Sequence, residues 1–188
     1  MKTEEKLNVM PLANFKVSRE ILLLEPKLCR NLKYTLVHEL HRTYLINASI
    51  PRVIEKICNS YGSSFKTAFH LTRRITPGFK KLPISVGSTN PLIFIPTASH
   101  TKTYVRWVNY HAIISYEDSG NGYCTALLQN GKAYPLNLSL TSLRTQMSHA
   151  QQIDRYMQSL SNSELMKLFP KDDPFIDAKH LDELEDLF

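Results

Sequence analysis

The segment His38-Glu39-Leu40-His41 carries the residue types of a metal or acid–base centre. Its spacing does not suit one. A zinc-protease helix needs its two histidines four residues apart, so that both reach one metal from the same face, and these are three apart. Cys29 and Cys58 could complete a zinc site with them only if the fold happened to gather all four, and surface or turn histidines are the simpler reading. With Cys124 the cysteines number three, widely spaced and without a C-x-x-C pair. Reduced, mostly buried thiols are therefore expected, and a disulfide framework is not. The chain has no G-x-S-x-G elbow, no P-loop, no dinucleotide fingerprint and no deaminase pattern. Gly62-Ser63-Ser64 lacks the lysine and second glycine of a phosphate cradle. Nothing points to catalysis, a metal or a cofactor, and a non-enzymatic role is expected.

Charge carries more information. Of 23 basic and 17 acidic residues, two and seven lie in 171–188, which leaves residues 1–170 with a net charge of +11. Between Lys56 and Tyr116 there is no Asp or Glu, whereas Lys66, Arg73, Arg74, Lys80, Lys81, Lys102 and Arg106 all fall there. This gap also removes the carboxylates that magnesium or paired-acid chemistry would need. A basic body with an acidic tail points to a polyanionic partner, most often nucleic acid. Two modes fit. Arg and Lys beside turns could follow phosphates and enter a narrow, negative A-tract minor groove. Alternatively the interleaved Phe65, Phe69, Phe79, Tyr104 and Trp107 could stack single-stranded bases, although core packing is the commoner use of such residues.

These residues must be held by a fold of limited size. The 188 residues, 43% hydrophobic and 21% charged, suffice for one domain with a real core. The longest apolar runs, such as Ile21–Leu24 and Leu92–Ile95, are four residues, too short to span a bilayer. The start, MKTEEKLNVM, does not read as a secretory signal, so a cytoplasmic protein without a membrane partner is expected.

Along the chain, residues 1–18 read as a loose arm. Ile21–Leu24 reads as a buried strand stopped by Pro26, and Tyr34–Leu40 with Thr43–Ile46 as a strand pair. A helix is predicted near 50–61: Ser49 at the N-cap, Pro51 in the first turn, Val53, Ile54, Ile57, Cys58 and Tyr61 on one face, Gly62 at the stop. Residues 62–100 read as short strands between Pro and Gly punctuation, and Tyr104–Tyr116 as a strand. Tyr123–Leu128, Asn130-Gly131 and Lys132–Leu138 read as a hairpin. Leu140, Leu143, Met147, Ala150, Ile153, Met157 and Leu160 recur at helical spacing, predicting a long helix near 140–160 capped by Ser139 or Ser142. The fold class is thus α+β, a largely antiparallel β region flanked by these two helices. Residues 1–160 form a single DNA-binding domain in this reading, and 161–188 a flexible regulatory tail.

The order Ile57-Cys58-Asn59-Ser60-Tyr61-Gly62-Ser63-Ser64-Phe65, Lys80-Lys81-Leu82-Pro83-Ile84, Leu92-Ile93-Phe94-Ile95-Pro96-Thr97-Ala98-Ser99 and Trp107-Val108-Asn109 resembles the ComK family of competence transcription factors of low-GC Gram-positive bacteria. The resemblance runs over about residues 50–157, through Asn130-Gly131 and the helix from Ser139. It implies a double-stranded-DNA-binding activator of DNA-uptake genes that recognises paired A/T-rich boxes mainly through the minor groove. It also implies a homo-oligomer (dimer or tetramer), RNA polymerase as an indirect partner, and regulation by a MecA-type adaptor of a Clp protease. A nucleoid-associated location follows. One departure stands out. Where the family tends to have a Gly-Arg/Lys-Lys run after the Gly-Ser-Ser-aromatic motif, this chain has Thr67-Ala68-Phe69, with Lys66 earlier and Arg73-Arg74 later.

The combined reading gives DNA contacts to Lys66, Arg73, Arg74, Lys80, Lys81, Lys102 and Arg106, with Asn109 and Thr97 as candidates for base or sugar contacts. In the tail, Met166, Leu168, Phe169 and Pro170 match the family's adaptor-binding Phe-Met-Leu-Tyr-Pro element. The competing classes are a regulator that binds RNA or single strands and an interaction protein that sequesters a partner.

Overall fold

The computed structural model describes residues 8–78, 81–87 and 90–159. Ten strands and three helices follow in order: β1 (Val9–Met10), β2 (Ile21–Cys29), β3 (Leu32–Glu39), β4 (Thr43–Ile46), α1 (Ile50–Ser60), α2 (Phe65–Ile75), β5 (Ile84–Val86), β6 (Leu92–Pro96), β7 (Trp107–Asn109), β8 (Ile113–Gly120), β9 (Tyr123–Leu128), β10 (Ala133–Leu136) and α3 (Leu140–Ser159). Seven strands form one sheet in the order β1-β4-β3-β2-β7-β6-β5, antiparallel except for the β1–β4 pair; β10-β9-β8 form a second, antiparallel sheet. The fold is α+β.

The large sheet is buried on both faces. On one face Ile21, Leu24, Val37, Ile46 and Phe94 pack with Val53, Ile54 and Ile57 of α1. On the other, Leu23, Ile93, Ile95 and Val108 pack with Leu128 and Leu136 of the small sheet and with Leu143, Ala150 and Ile153 of α3. Such double coverage explains why β2 and β6 open as unbroken apolar runs rather than as alternating ones. A bulge between Ile21 and Leu23 shifts the β2 register, and Leu22 and Leu23 both join the second core while Ile21 and Leu24 join the first. At α3, Ser142 N donates to the Ser139 hydroxyl at 3.2 Å, the predicted cap. Its outward positions Arg144, Thr145, Ser148, Gln151, Gln152 and Arg155 are polar and exposed.

Four expectations change. The first 18 residues are not wholly a loose arm: β1 pairs with β4 through Val9 and Met10, and Phe15 is buried in the first core. Pro26 does not stop β2, which continues to Cys29 opposite β3. The strand β7 pairs with β2 only at Leu23 and Leu24, so by Pro26 it has become an edge strand, the setting in which a sheet tolerates proline. Residues 62–100 are not all short strands, because Phe65–Ile75 is a helix. Finally, Tyr104–Tyr116 divides into a loop, β7, a 3-10 turn at Tyr110–Ala112 and the start of β8.

Candidate nucleic-acid interface

The Tyr-Gly-Ser-Ser segment builds the corner between α1 and α2. Gly62, at φ +71°, ends α1 while Gly62 N donates to Asn59 O and Ser63 N to Cys58 O, the paired bonds of a glycine-ended helix. Ser64 then caps α2: its hydroxyl accepts from Thr67 N at 3.1 Å, and the Glu55 carboxylate accepts from Phe65 N at 2.9 Å. With Phe65, Ala68, Leu71 and Thr72 buried, the helical period turns Lys66, Arg73 and Arg74 outward, and all three are exposed. Arg73 and Arg74 occupy the last turn, where cations complement the helix dipole.

The second basic element is a cleft. The strands β2 and β3 are joined by Arg30 and Asn31, both left-handed (φ 48° and 65°), the two-residue turn that suits hairpin twist. Beyond Glu25 the hairpin leaves the core: Lys27, Leu28, Cys29, Arg30, Leu32 and Lys33 are exposed. Opposite it stands the loop from Thr97 to Arg106, closed at its base by Thr97 N to Arg106 O at 2.9 Å and Arg106 N to Thr97 Oγ1 at 3.0 Å. A cleft of about 540 Å³ opens between them, lined by Lys27, Lys33 and Tyr34 of the hairpin, Ser49 to Pro51 at the start of α1, and His100 to Val105 of the loop. None of its lining residues is acidic.

The two elements meet at His100. Its ring lies 5.0 Å from Phe69 and 6.0 Å from Phe65, centroid to centroid, so the cleft wall leans on the helix that carries Lys66, Arg73 and Arg74.

Not every expected contact residue is on this surface. Lys102 lines the cleft and Lys81 is exposed; Lys80 lies outside the described residues, as do Met166, Leu168, Phe169 and Pro170. Three expected contacts are corrected. Arg106 turns inward: its Nε lies 3.0 Å from Glu25 Oε1, and another guanidinium nitrogen donates to the Pro135 carbonyl. Asn109 is buried, donating to Ile21 O at 2.9 Å and accepting from His111 N at 3.1 Å. Thr97 is buried at the base of the loop. Each has spent its polar groups on the fold.

Glu25 also holds His38, Nε2 to Oε2 at 2.7 Å. Burial pushes the Glu25 carboxyl up, but the His38 hydrogen bond and the Arg106 charge outweigh it and hold its pKa below the ordinary value. Glu39 is taken by Arg42 and by the Tyr44 hydroxyl, and His41 is exposed. The His-Glu-Leu-His segment therefore stitches strands together. Cys58 and Cys124 are buried and Cys29 is exposed, in line with free and mostly buried thiols.

The cleft residues Lys27, Lys33, Tyr34 and His100 were not singled out from sequence. Their signal was the Arg30-Asn31 turn between two strand-like runs, hidden by reading Pro26 as a stop. The core placement of Phe65, flanked by Phe69 and Trp107 (Phe65 to Trp107, 6.1 Å), fits packing rather than base stacking, while Tyr104 is exposed.

The chain is 20% identical over 168 residues to a protein from Bacillus subtilis (strain 168) named "Competence transcription factor", covering 87% of this chain and 88% of that one. No solved structure matches it significantly. A family model described as "ComK protein" matches residues 12–161, a span that holds both cores, the α1–α2 corner and the whole basic surface. The chain belongs to the ComK family.

Proposed function

We propose that this protein regulates transcription as a sequence-selective double-stranded-DNA-binding activator of competence genes, recognising A/T-rich boxes mainly through the minor groove. The observation that carries the reading is the set of exposed cations Lys66, Arg73 and Arg74 on α2 and Lys102 in the cleft whose His100 packs on that helix. Membership of the family and the name of the Bacillus subtilis relative support it. Exposed cations on a rigid helix and a closed loop suit phosphate contacts, which fix position, while reading A·T against G·C falls to groove width and the guanine amino group. In this reading the protein acts as a homo-oligomer beside RNA polymerase on the nucleoid. Met166, Leu168, Phe169 and Pro170 present a peptide to a MecA-type adaptor, a mode in which a short apolar segment seats in a partner groove.

A competition experiment tests it. Labelled A/T-rich duplex should be displaced far better by unlabelled A/T-rich duplex than by G/C-rich duplex or by single strands. A box with A·T→I·C replacements should still bind, since its minor groove stays A·T-like. Four phosphates neutralised would give a log–log salt slope of about −3 to −4. Arg73→Ala/Arg74→Ala should flatten the slope by about one to two units. Preference for single strands would favour the RNA or single-strand class, and a zero slope would favour the sequestering class.

A further inference from the structure

We infer that the cleft between the β2–β3 hairpin and the 97–106 loop is a phosphodiester-binding channel, a second nucleic-acid site that extends the α2 contact; this rests on the DNA-binding reading above. Its occupant is a stretch of sugar-phosphate backbone.

Lysines stand on both walls, Lys33 from the hairpin and Lys102 from the loop, while Lys27, paired with Tyr34 on the other face of the hairpin, only borders it; no carboxylate is among the lining residues. Lys33 and Lys102 are exposed, so a passing phosphate meets each at little desolvation cost. The floor adds a further positive element. The start of α1 (Ser49, Ile50 and Pro51) lines the cleft, and that helix has no acidic residue in its first turn and no side-chain hydrogen bond from Ser49 to cap it. The first turn of α1 thus borders the channel without an acidic side chain of its own to offset the helix dipole. Tyr104, 54% exposed at the mouth, supplies a flat ring of the kind that packs on a sugar or stacks on a base.

Geometry sets the direction. Because β7 leaves β2 after Leu24, the sheet splits there and the cleft runs along a free strand edge. His100, in the loop wall, packs against Phe69 of α2. One polyanion can therefore pass from Lys66 on α2 to the lysines of the cleft. An acidic peptide would satisfy the charges but has no use for the exposed ring, which favours nucleic acid.

The test uses the full-length protein. Duplex affinity and salt slope are measured for Lys33→Gln/Lys102→Gln, for Tyr104→Ala, and for Lys132→Gln in the β9–β10 turn as a control, with folding checked by thermal melts. The double variant should lose about ten- to thirty-fold in affinity near 0.15 M salt and flatten the slope by about two units. Tyr104→Ala should weaken binding with the slope unchanged, and Lys132→Gln should match the native protein. Separately, the tetranucleotide dT4 and a hexaglutamate peptide are titrated against the native protein by NMR. Shifts with dT4 should centre on His100 and Tyr104. No dT4 response in the cleft, tighter binding of hexaglutamate than of dT4, or a double variant that binds duplex like the native protein would each overturn the proposal. If dT4 seats in the cleft while the native protein binds no duplex, the activator reading fails and the channel stands.

Discussion

The Arg106 guanidinium spans two sheets: it pairs with Glu25 of β2 at 3.0 Å and donates to the Pro135 carbonyl of β10. Its side chain is 22% exposed and that of Glu25 is 12% exposed, so both charges are largely withdrawn from water, and His38 completes the Glu25 partnership. A basic residue in the acid-free middle of the chain thus belongs to the core of the fold, holding the small sheet against the large one.

Arg106→Gln should therefore cost about 2–4 kcal/mol of stability, since removing one partner leaves a mostly buried carboxylate and a carbonyl unpaired. Urea unfolding measures it. The salt slope of DNA binding by the folded fraction should be unchanged. A flattened slope with native stability would return Arg106 to the DNA surface.

Asn109→Ala should also act through stability. It removes a donor to Ile21 O and an acceptor for His111 N, both inside the fold, a loss of about 2–3 kcal/mol. Selectivity between A/T-rich and G/C-rich duplex, measured below the lowered melting temperature, should remain at the native ratio.

The Glu25 cluster gives a pH signature. Its carboxyl pKa is lowered in the folded protein, so the folded state gains from ionised Glu25 above the unfolded value of about 4.3, and the gain disappears as pH falls through the folded pKa. The stability advantage of the native protein over Glu25→Gln should narrow steadily as pH falls below about 4. Chemical denaturation at several pH values reads this directly, and a gap that persists undiminished at pH 3 would contradict the pairing.

Thiol chemistry distinguishes the three cysteines. Cys29 is exposed at the hairpin tip. Burial, assisted by the Glu55 charge, pushes the Cys58 thiol up to about 12, and burial with Asp118 raises Cys124. Iodoacetamide at pH 8 should modify one thiol in the native protein and three after denaturation, with mass spectrometry placing the native adduct on Cys29.

Much of the architecture was legible without coordinates. The spacing of Val53, Ile54, Ile57 and Cys58, with Pro51 and Gly62 at its ends, defines α1, and Leu143 to Met157 define α3; both are patterns among near neighbours in the chain. Asn130-Gly131 marks the β9–β10 turn, and the acid-free run from 57 to 115 marks the basic surface. Helix α2 was also encoded, by Ser64 at its cap and by Phe65, Ala68, Phe69, Thr72 and Ile75 at intervals of three and four. The Pro and Gly residues after Thr76 obscured it by suggesting strands throughout.

What tertiary structure alone decided is the fate of individual polar side chains. Lys102 and Arg106 are both cations four residues apart, yet one lines the cleft and the other pairs with Glu25. Asn109 bonds a carbonyl 88 residues away, and Lys33 lines a cleft whose other wall is a loop that begins at Thr97. Periodicity is fixed by backbone geometry within a few residues, so sequence spacing reports it. Burial and pairing depend on which strands the chain brings side by side across dozens of residues, and no local pattern contains that information.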